Sequence, residues 1–337
     1  MMKNSAKQAY AALRTVFFSP YMALTCAALL WSGNFIAGRA LKGDIPPIQL
    51  NFWRWVIALI VLIPLSHKQI LRHKAIIKSE WKIITALGFT GIACFHICVY
   101  TALTTTTAIN ALIILSTSPM AIVLIARLFF KEPIRVSQTI GILVSLVGAV
   151  TLICHGNPLA LQNFNFNSGD IWMLIAVPMW AVYAILLKQQ NRQLPQIVLL
   201  TSTVTAGLAM MIPFYMTSLF MEPEISINVS SLLGLLYISL FASVLAFLFW
   251  NHGVSIIGPV KAGMYIHLMP VFGSFLSIII LNEGMATYHI IGATFILAGI
   301  VLCNLKKIST DSKYLLMDEN LVQKLHHHLS KMKRYPF

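Results

Sequence analysis

Residues 108–150, AINALIILSTSPMAIVLIARLFFKEPIRVSQTIGILVSLVGAV, decide the fold once they are laid against residues 259–301, PVKAGMYIHLMPVFGSFLSIIILNEGMATYHIIGATFILAGIV. A constant shift of 151 residues superposes Ala111 on Ala262, Pro119 on Pro270, Glu132 on Glu283, Gly141 on Gly292 and Gly148 on Gly299. Most of these are restrictive residue types and no gap is needed, so the match marks an internal repeat. Upstream, a shift of 149 brings Trp31 onto Trp180 and Arg39 onto Lys188.

Composition says where such a repeat resides. Hydrophobic residues are 58% of the 337-residue chain and charged residues 10%, against about 25% charged in ordinary soluble domains. Apolar runs near 20 residues recur, long enough to cross a hydrocarbon core about 30 Å thick. The chain reads as an all-α polytopic membrane protein. Ten transmembrane helices are expected near 20–41, 47–65, 82–103, 107–129, 136–154, 169–188, 194–219, 230–251, 257–281 and 287–305. The first five-helix repeat then covers 20–154 and the second 169–305, with a linker at 155–168 and end segments at 1–19 and 306–337. Five is odd, so the two repeats enter the membrane in opposite senses. This 5+5 inverted-topology repeat lets two similar bundles exchange conformations and turn an inward-open cavity outward, which argues for a carrier.

The net charge of +14 is placed by topology and calls for no nucleic-acid partner. Lys3, Lys7 and Arg14, the loop with Lys68, Arg72, Lys74, Lys78 and Lys82, the cluster Arg127, Lys131 and Arg135, then Lys188, Arg192 and Lys261, all fall on one side of a ten-span thread. The other side has Arg39 and Lys42. By the positive-inside rule both termini are cytoplasmic and the linker at 155–168 is external, in a cell (inner) membrane. No cleavable signal peptide is evident, because the first apolar run is of spanning length. Beyond residue 306, Leu321, Leu325, Leu329 and Met332 recur at helical spacing among Lys324, Lys331, Lys333 and Arg334. They describe a basic amphipathic helix on anionic lipid; the alternative is a disordered basic tail. The histidines at 326–328 read as surface with no metal role.

With the repeat in view, WSGNF at 31–35, FWRW at 52–55, YTAL at 100–103, a P-x12-E spacing in each half and a G-x6-G face after each Glu resemble the EamA family of the drug/metabolite transporter superfamily. The resemblance covers about residues 20–305. It implies a central cavity between the halves and export or exchange of small metabolites such as amino acids. No cofactor is expected.

CFHIC at 94–98 looks at first like a metal site. On a helix Cys94 and Cys98 share a face and His96 points to roughly the opposite one, so the three do not converge and no metal is assigned. His96 is left on a face with Tyr100, and an ionisable residue inside a span is a functional candidate by default. His267, opposite Ser116 in the repeat, raises the same question, with close helix packing at Gly263 as the alternative. Pro119 and Pro270 are matched mid-span interruptions and candidate gating bends. Arg54 is the one permanent charge well inside a span: it is a candidate for a substrate carboxylate or phosphate, or else it snorkels to the interface or pairs with a polar group in a neighbouring helix, and the resemblance implies a mostly architectural Arg here. Trp31 and Asn34 share a face of the first span, and Trp180 and Tyr183 hold the matched positions of the sixth. With Asn251 in the eighth span they complete the expected substrate contacts. Gly141, Gly148, Gly292 and Gly299 read as close-packing surfaces.

No Asp or Glu is placed mid-membrane, so proton coupling needs His96 or His267; otherwise the carrier is an exchanger or facilitator. An intramembrane enzyme would need a nucleophile with a base, a carboxylate pair or a metal constellation, and none is apparent. A carrier of amphipathic or lipid-like molecules is the runner-up, a scaffold subunit is a further class against which the inverted repeat speaks, and the expected assembly is a monomer or homodimer.

Overall fold

The computed structural model describes residues 19–41, 43–106, 108–131, 133–157, 159, 167–191, 193–221, 225–281 and 285–305. The expected tail helix, Glu132 and Glu283 lie outside the described residues. The described helices are α1 (Pro20–Ala40), α2 (Pro47–Ser79), α3 (Trp81–Thr105), α4 (108–130), α5 (Val136–Ile153), α6 (Ser168–Gln189), α7 (Gln196–Met221), α8 (Val229–Ile257), α9 (259–281) and α10 (Thr287–Asn304). Eight of them are long and apolar enough to cross a membrane. The other two, α1 and α9, lie where the first and ninth spans were expected.

One expectation is corrected at the end of the second span. The basic stretch from Ser66 was expected as a loop, but α2 continues as helix to Ser79. Beyond Pro64 this stretch contains no Gly or Pro and carries helix formers such as Lys68, Gln69, Leu71, Arg72, Lys74 and Ala75, so nothing in it stops a helix.

Helix ends are closed by local chemistry. Asn167 caps α6 by accepting from Gly169 N and Asp170 N, and Asp170 returns the bond by accepting from Asn167 N at 2.8 Å. The same carboxylate accepts from Thr106 Oγ1 at 2.5 Å, which ties the end of α3 to the start of α6. Asn228 caps α8 and donates from Nδ2 to Asp44 Oδ2 at 2.9 Å, which ties the α1–α2 turn to α8. Both caps satisfy backbone N–H groups that a helix start leaves without partners.

Packing exchanges elements between the halves. Helix α1 packs on α8 and α9 of the second half, and its repeat equivalent α6 packs on α3 and α4 of the first. The remaining equivalents pack on each other, α2 on α7 and α5 on α10. At the α5–α10 crossing, a Cβ on Gly141 would meet Gly299 O at 2.6 Å and Cys303 N at 2.8 Å. A Cβ on Gly148 would meet Gly292 O at 2.6 Å and Ile296 N at 2.8 Å. Rising numbers on one helix meet falling numbers on the other, so the two are antiparallel. The interface is also self-complementary, because Gly141 faces the equivalent of Gly148 and Gly148 faces the equivalent of Gly141. A two-fold operator produces such reciprocity, and antiparallel equivalents mean inverted halves.

Candidate functional site

Two stretches near the centre of the fold depart from α-helical bonding, and they are repeat equivalents. Gly88–Cys94 in α3 and Ile238–Leu245 in α8 are π-helical. Such i→i+5 segments widen the turn and concentrate at functional sites. Sequence reasoning missed both; the visible sign was the glycine pair in GFTG. Gly91 is needed because a Cβ there would lie 2.2 Å from the Tyr183 ring.

A cavity of about 40 Å³ has Trp31, Asn34, His96 and Trp180 in its wall beside Phe95, Ile266 and Met269. That volume holds little more than one or two waters, so the central cavity implied by the resemblance is nearly closed in this conformation. Behind it the rings are continuous. Trp31, Trp180 and Trp250 stand 5.2 to 5.3 Å apart pairwise. Fully buried Phe247 touches Trp31, Trp55, His96, Trp180 and Tyr183. Phe247 was not foreseen, although the 151-residue shift places it opposite His96. Trp31 Nε1 donates to Ala242 O in the π-helical part of α8 at 3.0 Å.

Residues near a two-fold axis touch their own counterparts. Trp31 and Trp180 meet at 5.2 Å, His96 and Phe247 at 5.9 Å, and His267 Nε2 donates to Ser116 O at 2.8 Å. The aromatic cavity therefore sits where the two halves exchange places.

A second pattern repeats with its residues swapped. In the first half Tyr100 Oη donates to Asn34 Oδ1 at 3.4 Å, joining α3 to α1. In the second, Tyr183 Oη on α6 donates to Asn251 Oδ1 on α8 at 2.9 Å. Asn34 and Tyr183 are equivalents, as are Tyr100 and Asn251, so Tyr and Asn have traded places while the bond persists.

Arg54 belongs to the first of these networks. It is fully buried, its Nη1 donates to Tyr100 Oη at 2.6 Å and its Nε donates to Ser243 Oγ at 2.8 Å. The Ser243 bond crosses from the first half to the second. Burial leaves no route for the snorkelling considered from the sequence.

His267 stands apart from the cavity wall. Besides its bond to Ser116 O, its Nδ1 lies 2.6 Å from Ser145 Oγ; with Nε2 donating, a neutral ring accepts at Nδ1. The inclination from the sequence to place it on the cavity gives way to a clamp among α4, α5 and α9. The physical reason is the break at Pro119. Helix α4 divides into Ala108–Leu115 and Ser118–Phe130, with Pro119 in the first turn of the second piece. Met120 N turns back to Thr117 O, so Ser116 O is available to the imidazole. Pro270 follows a 3₁₀ stretch, Met264–His267, near the start of the last piece of α9. Pro119 thus follows a break between two α-helical pieces, and Pro270 follows a change from 3₁₀ to α-helix.

His96 sits in the cavity wall with Nδ1 donating to Gly91 O at 3.0 Å. Cys94 and Cys98 pair on the other face of α3 with their sulfurs 3.9 Å apart. A larger cavity of about 430 Å³ lies elsewhere, lined by Ile45, Gln49, Trp53, Tyr215, Leu219 and Ile225 among others, and none of the expected site residues borders it.

These features define a polytopic, two-repeat membrane carrier architecture with an aromatic centre. The model of the EamA-like transporter family matches residues 18–154 and again 167–305, and the chain belongs to that family. An uncharacterized transporter of Archaeoglobus fulgidus is 26% identical over 292 residues, covering 85% of this chain and 98% of that protein. The uncharacterized transporter YetK of Bacillus subtilis is 27% identical over 297 residues, covering 87% and 88%. A probable amino-acid metabolite efflux pump of Salmonella typhimurium is 25% identical over 183 residues, 51% of this chain and 59% of that protein. One solved crystal structure superposes with a TM-score of 0.70 at 20% identity over 85% of this chain and 96% of the other, a likeness of fold.

Proposed function

We propose that this chain is a secondary transporter that exports or exchanges small, amino-acid-like metabolites across the cell (inner) membrane by alternating access, with both termini cytoplasmic. The observation that carries the reading is the contact of repeat equivalents Trp31 and Trp180 at 5.2 Å in one cavity wall. Each half supplies one side of the same small space, so rocking one half against the other opens it to either face of the membrane. The Salmonella relative's printed name supports an amino-acid-like substrate, and the basic residues of alternate loops support the orientation.

Efflux from proteoliposomes loaded with amino acids tests the reading. Trp31→Ala and Trp180→Ala lower efflux by about tenfold or more, the equivalent of roughly 1.4 kcal/mol of lost binding, while the protein still inserts. Unchanged efflux in both His96→Ala and Tyr100→Phe removes the cavity assignment. A carrier of amphipathic molecules is the second reading, supported by the 430 Å³ apolar cavity beside Trp53 and Tyr215. It predicts that Tyr215→Ala, and not Trp180→Ala, abolishes transport.

A further inference from the structure

We infer that the transported solute presents a carboxylate to Arg54, so that this buried cation selects the substrate class; the inference rests on the transport reading above. Arg54 is 0% exposed and carries a permanent charge. Two of its nitrogens donate to neutral oxygens, Tyr100 Oη and Ser243 Oγ, Nη2 has no hydrogen-bond partner, and the guanidinium stands over the neutral rings of Trp55 and Tyr100 at 5.1 and 5.8 Å. A buried charge calls for an opposite charge. The described carboxylates are placed elsewhere: Asp170 serves Thr106 and Asn167, Asp44 serves Asn228, and Glu80 ends α2. The counter-charge is therefore missing from the described protein around Arg54.

An independent observation points the same way. Trp55, Trp180 and Trp250 each bury an indole N–H with no acceptor. Their rings belong to the same cluster, Trp55 and Trp180 through Phe247 at 5.0 and 6.0 Å and Trp250 against Trp180 at 5.2 Å. The aromatic centre is thus rich in unpaired donors. The unpaired amide acceptors lie one turn earlier on α2, at Asn51 Oδ1, and at helix ends, on Gln190, Gln196 and Asn304. A carboxylate brings two oxygens with about four acceptor sites and the missing charge, and a guanidinium fork matches its geometry. An ammonium alone would add a second positive charge, and a neutral amide would leave the first unanswered.

The route from the cavity to the cation is short. Asn34 borders the cavity, accepts from Tyr100 Oη at 3.4 Å, and Tyr100 accepts from Arg54 at 2.6 Å. The 3.4 Å bond is the weak link, and rotation of Tyr100 away from Asn34 brings Arg54 to the cavity wall. The shift of 149 that pairs Trp31 with Trp180 places Thr203 opposite Arg54, and it also aligns Pro46 with Pro195 and Pro64 with Pro213. The cation therefore exists in one half only, and one anionic group is accommodated per molecule.

Purified full-length protein in proteoliposomes is assayed for uptake of phenylalanine, phenylalaninamide and 2-phenylethylamine, with the leucine, leucinamide and isoamylamine set alongside. The expected result is at least a tenfold preference of wild type for the acid in each set. In Arg54→Gln that preference falls below about twofold, while the ligand-free variant melts no lower than wild type because an unanswered charge has been removed. Equal transport of acid, amide and amine by wild type overturns the inference and leaves the transport reading intact. So does an Arg54→Gln variant that keeps the tenfold preference. Wild type that moves no solute of either set or any other metabolite overturns the transport reading beneath it.

Discussion

The two halves share a frame and differ in what they place on it. Each has a π-helical stretch in its third helix, a Tyr–Asn bond between its first and third helices and a tryptophan facing the cavity. Among the described residues only the first adds a buried cation; at the equivalent place the second has Thr203, whose Oγ1 is unpartnered. On the proposed reading the frame provides a pair of interchangeable conformations, and the difference provides the polarity of the substrate site. Symmetry constrains backbone and packing positions, and it leaves a few side chains free to diverge into a binding site.

The most severe way to break the comparison is at its symmetric seam. Gly148→Leu drives a side chain into Gly292 O and Phe295, and α5 and α10 separate. Overpacking alone costs about 1–3 kcal/mol per misfit, and a branched side chain against backbone exceeds that. The expected outcome is loss of a monodisperse peak in detergent size exclusion. Next in size is the asymmetric pair. Arg54→Gln lowers efflux of carboxylate substrates by about 30-fold or more, from roughly 2 kcal/mol or more for a lost charge-assisted contact. Thr203→Val changes it by less than about threefold, since surrounding contacts are kept. Comparable losses in the two variants would erase the distinction between the halves.

A finer break uses the exchanged Tyr–Asn bond. Tyr100→Asn alone removes the acceptor of Arg54 Nη1 and lowers efflux. Combining it with Asn34→Tyr copies the arrangement of the second half and recovers part of the loss, which a double-mutant cycle measures as a positive coupling of about 0.5–3 kcal/mol. The smallest effect on transport falls on the clamp. His267→Ala leaves Ser116 O and Ser145 Oγ without the imidazole, costing about 1–3 kcal/mol of stability. A thermal melt in detergent detects it, and substrate preference stays as in wild type.

Much of the fold was legible because two signals are long and redundant. Apolar runs of spanning length need no knowledge of partners, and the 151-residue shift repeats over a whole helix–turn–helix. The meeting of Trp31 with Trp180 was within reach, since both share a register and an aromatic face. Less was legible where a residue's role depends on a distant neighbour. Arg54 finds Ser243 across 189 residues, and helical periodicity gives its face without giving that partner. His267 resembled a cavity residue because its acceptor, Ser116 O, exists only after Pro119 has broken α4. The π-helical turns escaped detection because their hydrogen-bond register is set by packing, as where Tyr183 lies against Gly91. The end of α2 was misjudged because charge density was read as loop although no helix breaker was present.

The central claim is that two oppositely inserted halves enclose one route. Single cysteines introduced as Glu132→Cys and Glu283→Cys, in a background freed of the five native cysteines, are labelled in intact cells with a membrane-impermeant maleimide. The account predicts that position 283 reacts from outside and that position 132 reacts only after the membrane is opened. Labelling of both positions from the same side would contradict it.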